Sequence, residues 1–170
     1  MGIDKDVIDL MDIALKTIGS KSFGGVIMCE LGNQKMRFGK YKTGKKYFKS
    51  LGAKHISIDI NGKSGAKKLN LAKPIDRWKG KFDIVTNYGT SEHVEGQNEC
   101  FENIYNFCRV GGVMVHAVPM EGTYIGHSPY HYDVEFFNKL ALDNNCEVIL
   151  NEERWRSKTE AQICAVLKKL

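Results

Sequence analysis

Apolar positions along this chain change their spacing in a regular order. Val7, Ile8, Leu10, Met11, Ala14, Leu15 and Ile18 recur every three or four residues, which predicts an amphipathic helix that ends near Gly19-Ser20. The run Gly25-Val26-Ile27-Met28-Cys29-Glu30 is short, branched and bounded by glycine, as in a parallel strand buried on both faces. Thr43 is placed to cap a helix over 45–51 that Gly52 closes. Further strands are expected at 55–60, ending in Asn61-Gly62, at 68–71 before Pro74, and at 82–86 with a loop over 87–90. Phe101, Ile104, Phe107 and Cys108 mark the buried face of another helix, which Gly111-Gly112 is expected to stop before a strand over 113–118. Asp133 can cap a helix carrying Val134, Phe137, Leu140 and Ala141. The last two strands, 146–150 and 162–167, are joined by a charged connection without a helical apolar face, so they should pair antiparallel.

This order of elements predicts an α/β protein with a mainly parallel sheet, whose ligands bind at the carboxyl ends of the strands. The first strand stops there at Glu30-Leu31-Gly32-Asn33-Gln34: a carboxylate that accepts from hydroxyl or ammonium groups, a glycine that lets the backbone turn, and two amides. A chain of 170 residues has room for one well-cored domain, expected to span 1–170. Its hydrophobic fraction of 42% and mean hydropathy of −0.33 are those of a soluble protein, and no apolar run approaches the roughly 20 residues of a membrane span. Asp4, Asp6 and Asp9 interrupt the amino terminus where a secretory leader would be apolar, and the five cysteines form no CxxC pair, so reduced core thiols and a cytoplasmic location are expected. Much of the +5 net charge lies between Lys35 and Lys54, a stretch without an acid. It is read as a solvated face rather than a nucleic-acid site, its Phe38, Tyr41, Tyr47 and Phe48 packing rather than stacking on bases.

Four segments then carry a resemblance: Cys29-Glu30-Leu31-Gly32, Ser57-Ile58-Asp59-Ile60-Asn61-Gly62, Phe82-Asp83-Ile84-Val85-Thr86-Asn87, and Ser91-Glu92-His93-Val94 running on to Arg109-Val110-Gly111-Gly112-Val113. In this order, with a terminal antiparallel pair, the chain resembles the class I S-adenosylmethionine-dependent methyltransferases, in particular their small methyltransferase-domain group. The resemblance implies a Rossmann-like, doubly wound, seven-stranded sheet of order 3-2-1-4-5-7-6 with the last strand antiparallel. It implies S-adenosylmethionine as cofactor, with Asp59 accepting from the ribose hydroxyls, Glu30 and Gly32 near the methionine end, and Asn70 where the family usually has an aspartate for the adenine amino group. Asn87, Gly89 and His93 fall beside the methionine moiety, and Asn33, Gln34, Ile60 and Leu71 complete the cofactor set. The chain departs from the family's glycine-rich first loop, since no glycine follows Gly32 until Gly39. Lack of G-x-G-x-x-G argues against a dinucleotide more than against a sulfonium cofactor without phosphate.

The segment Gly126-His127-Ser128-Pro129-Tyr130-His131-Tyr132-Asp133 follows the fifth strand on the catalytic side. His131 and His127 are the candidate catalytic residues there, with His131 as base for a hydroxyl acceptor or, alternatively, as a residue that only fixes the next helix entrance. Their i,i+4 spacing lacks a third ligand, so no metal is expected. His116, inside a strand, reads as a core histidine. The function expected is methyl transfer to a small-molecule or glycan acceptor, enclosed by chain loops or by a second subunit. The alternative is an S-adenosylmethionine-binding partner or regulator without turnover.

Overall fold

The computed structural model describes residues 2–170. Helix α1 (Lys5–Thr17) starts where Asp4 accepts from the Asp6 amide (3.1 Å) and buries Val7, Leu10, Met11, Ala14 and Leu15. There follow β1 (Ile27–Leu31), α2 (Gly44–Ser50), β2 (Lys54–Ile58), β3 (Phe82–Tyr88), α3 (Gln97–Phe107), β4 (Cys108–Pro119), α4 (Val134–Asp143), β5 (Cys146–Trp155) and β6 (Ala161–Lys169). Thr43 and Asp133 cap α2 and α4 as their chemistry predicts, accepting from Lys46 N (3.3 Å) and Phe136 N (2.7 Å).

The sheet runs β2-β1-β3-β4-β6-β5, parallel through β4, with β6 antiparallel to both of its neighbours. Side chains alternate across it. Val85, Met114, Ile163 and Leu167 face the layer of α3 and α4, while Ile84, Val113, Val115 and Val166 face α1 and α2. The aromatic residues of the lysine-rich stretch pack on one another, with Tyr47 against Phe48 at 5.1 Å and Phe38 against Tyr47 at 6.1 Å, and Phe48 is fully buried.

Two expectations need correction. The sheet has six strands and not seven, and its order therefore differs from 3-2-1-4-5-7-6: no strand forms over 68–71 beside β2. Only one bridge, Ile58 to Lys67, reaches that edge. Asn70 then closes a side-chain turn onto the Ala72 amide (2.9 Å), and the next residues are drawn beneath the sheet by Asn103 of α3. This buried amide donates to the Leu71 (3.1 Å) and Lys73 (2.9 Å) carbonyls and accepts from Ile75 N (2.9 Å), in place of a backbone ladder. The second correction concerns Gly111-Gly112, which does not separate helix from strand. The helix ends at Phe107 and β4 begins at once, and these glycines belong to a bulge between the Phe82–Cys108 and Ile84–Val113 pairs. Asp83 organises the bulge, with Arg109 Nε on Oδ1 (2.6 Å) and the Ile27 amide on Oδ2 (2.7 Å).

His116 is fully buried in β4, its Nδ1 3.2 Å from Asn87 Nδ2 and its ring 4.8 Å from that of Phe137. Burial depresses its pKa from the ordinary 6.5 to about 3. Between these values the unfolded chain binds a proton that the folded chain refuses, so stability present above pH 6.5 is lost as the pH falls. From pH 7.5 to pH 5 this group should cost about 2 kcal/mol, and His116→Gln should flatten that part of a urea-denaturation pH series. Asn103→Ala should lower stability by about 1–3 kcal/mol at neutral pH, because it strands buried amide and carbonyl groups. An unchanged denaturation midpoint would mean that other contacts hold the 71–75 segment.

Candidate functional site

The carboxyl ends of β1, β2 and β3 open into a cleft of about 450 Å³, a size at which small-molecule sites are common. Its walls are four segments: 32–34 after β1, 58–60 after β2, 69–72, and 89–95 after β3.

The 32–34 wall is held by its own amides. Gly32 N donates to Ile58 O (2.7 Å), Asn33 N to Asp59 Oδ2 (2.9 Å), and Gln34 N to Glu30 Oε1 (3.1 Å). Gly32 has φ +76°, and a Cβ there would meet Gln34 Nε2 at 2.5 Å and Thr90 Oγ1 at 2.6 Å. The glycine is thus required by the turn and by these two side chains. Gln34 Nε2 donates to Leu31 O (3.1 Å) and Thr90 Oγ1 (2.9 Å), and the Thr90 hydroxyl donates to Leu31 O (2.9 Å). Across the β1–β2 join, Asp59 Oδ1 accepts from Asn61 N (2.9 Å). Each Asp59 oxygen therefore takes one backbone donor and keeps acceptor capacity for a ligand. Ile60 is 65% exposed and offers a bare apolar face beside buried Leu71.

Of the residues singled out for a cofactor, Gly32, Asn33, Gln34, Asp59, Ile60, Asn70, Leu71, Gly89 and His93 line the cleft. Glu30 and Asn87 do not. Both are fully buried, one layer below, because residue alternation turns them onto opposite faces of the sheet. Glu30 lies under α2, with His55 Nε2 3.4 Å from Oε2 and Gly44 so close that any larger residue there would collide with the carboxylate. Burial raises its pKa, against the opposing pull of His55. Asn87 donates to Ser91 Oγ (2.9 Å) and accepts from Ser91 N (3.1 Å), fixing the start of the 91–95 wall. Thr90, inside the 87–90 loop, and Val94 and Glu95, just beyond it, also line the cleft without having been singled out from the sequence.

The 126–133 segment is stitched to that wall. Tyr132 Oη lies 2.9 Å from Ser91 Oγ and 2.8 Å from Gln97 Oε1, Tyr130 Oη donates to Glu95 O (3.2 Å), and the His127 ring packs 5.1 Å from that of His93. Neither His127 nor His131 lines the cleft itself. His131 is half-buried, and its sheltered Nε2 has no hydrogen-bond partner among the described residues. The i,i+4 pairing of the two histidines gives way in space to a different set, Glu92, His93 and His127, whose donor atoms lie within 4.8 Å of one another. Glu92 is fully buried, neither carboxylate oxygen receives a hydrogen bond from another residue among those described, and burial raises its pKa to about 7. Desolvation is the main cause that lowers the pKa of both His93 and His127, with the neighbouring His127 adding to it at His93 and His131 adding to it at His127.

No protein-family model matches the sequence, and no curated protein matches it. Solved structures do match in fold. The 1,6-didemethyltoxoflavin-N1-methyltransferase of Burkholderia thailandensis, with 1,6-didemethyltoxoflavin and S-adenosylhomocysteine bound, aligns over 97% of this chain and 78% of its own with TM-score 0.70 and 11% identity. The geranyl diphosphate C-methyltransferase of Streptomyces coelicolor A3(2), solved with Mg2+, geranyl diphosphate and S-adenosyl-L-homocysteine, gives 0.67 over 95% and 78% at 10% identity. An S-adenosylmethionine-dependent methyltransferase of Mesorhizobium loti gives 0.67 over 92% and 96% at 13% identity. With identities this low the likeness is one of architecture: this chain has the Rossmann-like fold of the class I S-adenosylmethionine-dependent methyltransferases.

Proposed function

We propose that this protein is an S-adenosylmethionine-dependent methyltransferase acting on a small-molecule or glycan acceptor. The observation that carries the reading is the Asp59 carboxylate, held by the Asn33 and Asn61 amides at the mouth of the cleft with acceptor capacity left for a ribose diol. The rest of the cleft fits an adenosyl group. Ile60 and Leu71 flank the place of a flat ring, and exposed Asn70 offers an amide beside them. The β1 loop also favours a cofactor without phosphate. All three of its amides, Gly32, Asn33 and Gln34, already donate to protein acceptors, so the loop has no nest of free N–H groups for a pyrophosphate.

When bound, S-adenosylmethionine supplies an electrophilic methyl group on an excellent leaving group. The chain's part is to position and desolvate. Asp59 fixes the ribose end. Asn87 and Ser91 hold the 89–95 wall, and Tyr130 and Tyr132 keep the 126–133 segment against it, so that the acceptor is bordered by that segment. His131, with its unpartnered Nε2, takes the proton from an acceptor hydroxyl.

Asp59→Ala should weaken S-adenosylhomocysteine binding by about 1–3 kcal/mol in calorimetry, and NAD should not compete with it. Equal affinity in the variant and the parent would remove the ribose assignment. His131→Ala should keep S-adenosylhomocysteine affinity while its turnover on an acceptor falls ~10²–10⁴-fold. Loss of thermal stability and cofactor affinity together, with turnover per folded molecule unchanged, would reduce His131 to a support of the α4 entrance.

A further inference from the structure

Three donor side chains cluster beside the cleft: His93, which lines it, and Glu92 and His127, which have no part in the cofactor set. Glu92 sits in a short 3-10 turn, Ser91–His93, next in sequence to one of the imidazoles. Its side chain is 0% exposed, yet neither oxygen receives a hydrogen bond from another residue among those described. A buried carboxylate without a donor costs several kcal/mol unless it is protonated or meets a cation. His93 Nε2 is 3.7 Å from Glu92 Oε1, too far for a hydrogen bond. It is close to the separation of about 3.4 Å between two ligands of one tetrahedral ion with bonds near 2.1 Å. His127 comes from a remote loop and closes the group, all three donor atoms lying within 4.8 Å. Both imidazoles are exposed, so neither is fixed by burial in its present rotamer.

We infer that Glu92, His93 and His127 bind one divalent transition-metal ion at the rim of the cleft. Two imidazoles and one carboxylate select zinc, cobalt or a similar borderline ion over calcium or magnesium, which prefer all-oxygen sets. Three protein ligands leave at least one coordination position open, and His93 itself lines the cleft, so the open position is available to an oxygen of a bound molecule. Metal binding stands on the donor geometry alone. The further use, holding an oxygen-bearing methyl acceptor such as a hydroxyl or carboxylate compound, rests on the methyltransferase reading.

The test uses the untagged full chain, stripped with a chelator and titrated with Zn2+ and with Co2+. One ion per chain should bind, and Co2+ should produce visible d–d bands of a low-symmetry site. Glu92→Gln and His127→Ala should each weaken binding at least ~100-fold, more than outer-shell changes usually do. Glu95→Gln, a neighbouring exposed carboxylate, should not. His127 is exposed, so its variant remains informative if the buried Glu92→Gln folds poorly. Absence of stoichiometric binding by either ion, or binding indifferent to His127→Ala, or equally weakened by Glu95→Gln, would overturn the site. S-adenosylhomocysteine affinity measured on the same samples separates the two ideas: it survives if only the metal site is wrong, and is missing from the parent if the cofactor reading is wrong.

Discussion

Three amide-to-acceptor bonds after β1 are the constraint on which the carboxyl edge of the sheet depends. Gly32 ties the loop to β2, Asn33 ties it to the carboxylate that ends β2, and Gln34 ties it back to Glu30 beneath. Because the acceptors come from two adjacent strands, the loop cannot shift without losing a bond to one of them. The Gly32 bond to a backbone carbonyl is of the ordinary kind, worth roughly 0.5–1.5 kcal/mol, whereas a bond to an ionised carboxylate, as at Asp59, is worth roughly 1.5–3 kcal/mol. The same bonds fix Asp59, so the rigidity of the loop and the readiness of the carboxylate are one property. Glu30 contributes from below by accepting from Gln34, which gives a carboxyl group a structural use at a fully buried place under α2.

The parts of this fold legible in the amino-acid order are those set by local period. The α1 stripe, the Thr43 and Asp133 caps and the alternation along β4 and β6 follow from spacing and side-chain chemistry, and they appear where spacing puts them. Asp59 lies at the cleft mouth, as its place at the end of β2 implies, and it also closes the turn onto the Asn61 amide that an aspartate before Asn-Gly favours. The failures share a different cause. Lys68-Leu69-Asn70-Leu71 alternates like a strand, but Asn103, more than thirty residues away, claims the carbonyls of the residues that follow. Gly111-Gly112 reads as a helix stop, yet pairing of β4 with β3 overrides it and keeps the glycines in a bulge.

The candidate site divides in the same way. Residues that touch the cleft from strand ends were recoverable, whereas Glu30 and Asn87 required knowing which face each residue of a doubly covered strand presents. His127 illustrates a further limit. Its neighbour at i+4 suggested a pair within one segment, but the fold brings it to His93, on a different loop. Glu92 lay inside a quoted motif without a role, because burial of its carboxylate is a tertiary fact.

The wall over 67–75 has a mechanical consequence. A seventh strand would have locked that side of the cleft into the sheet through a ladder of backbone bonds, making it as stable as the sheet itself. Here the wall is joined to β2 by one bridge and pinned mainly by the amide of Asn103. Releasing it disturbs a few bonds and leaves the six strands paired, so it constitutes a local opening unit whose free energy lies below that of global unfolding. The 69–72 side of the cleft is therefore a hinged door in an otherwise fixed frame, and α3, which carries the latch, also begins at Gln97, whose Oε1 lies 2.8 Å from Tyr132 Oη. One helix thus touches both the 69–75 panel and the 126–133 segment.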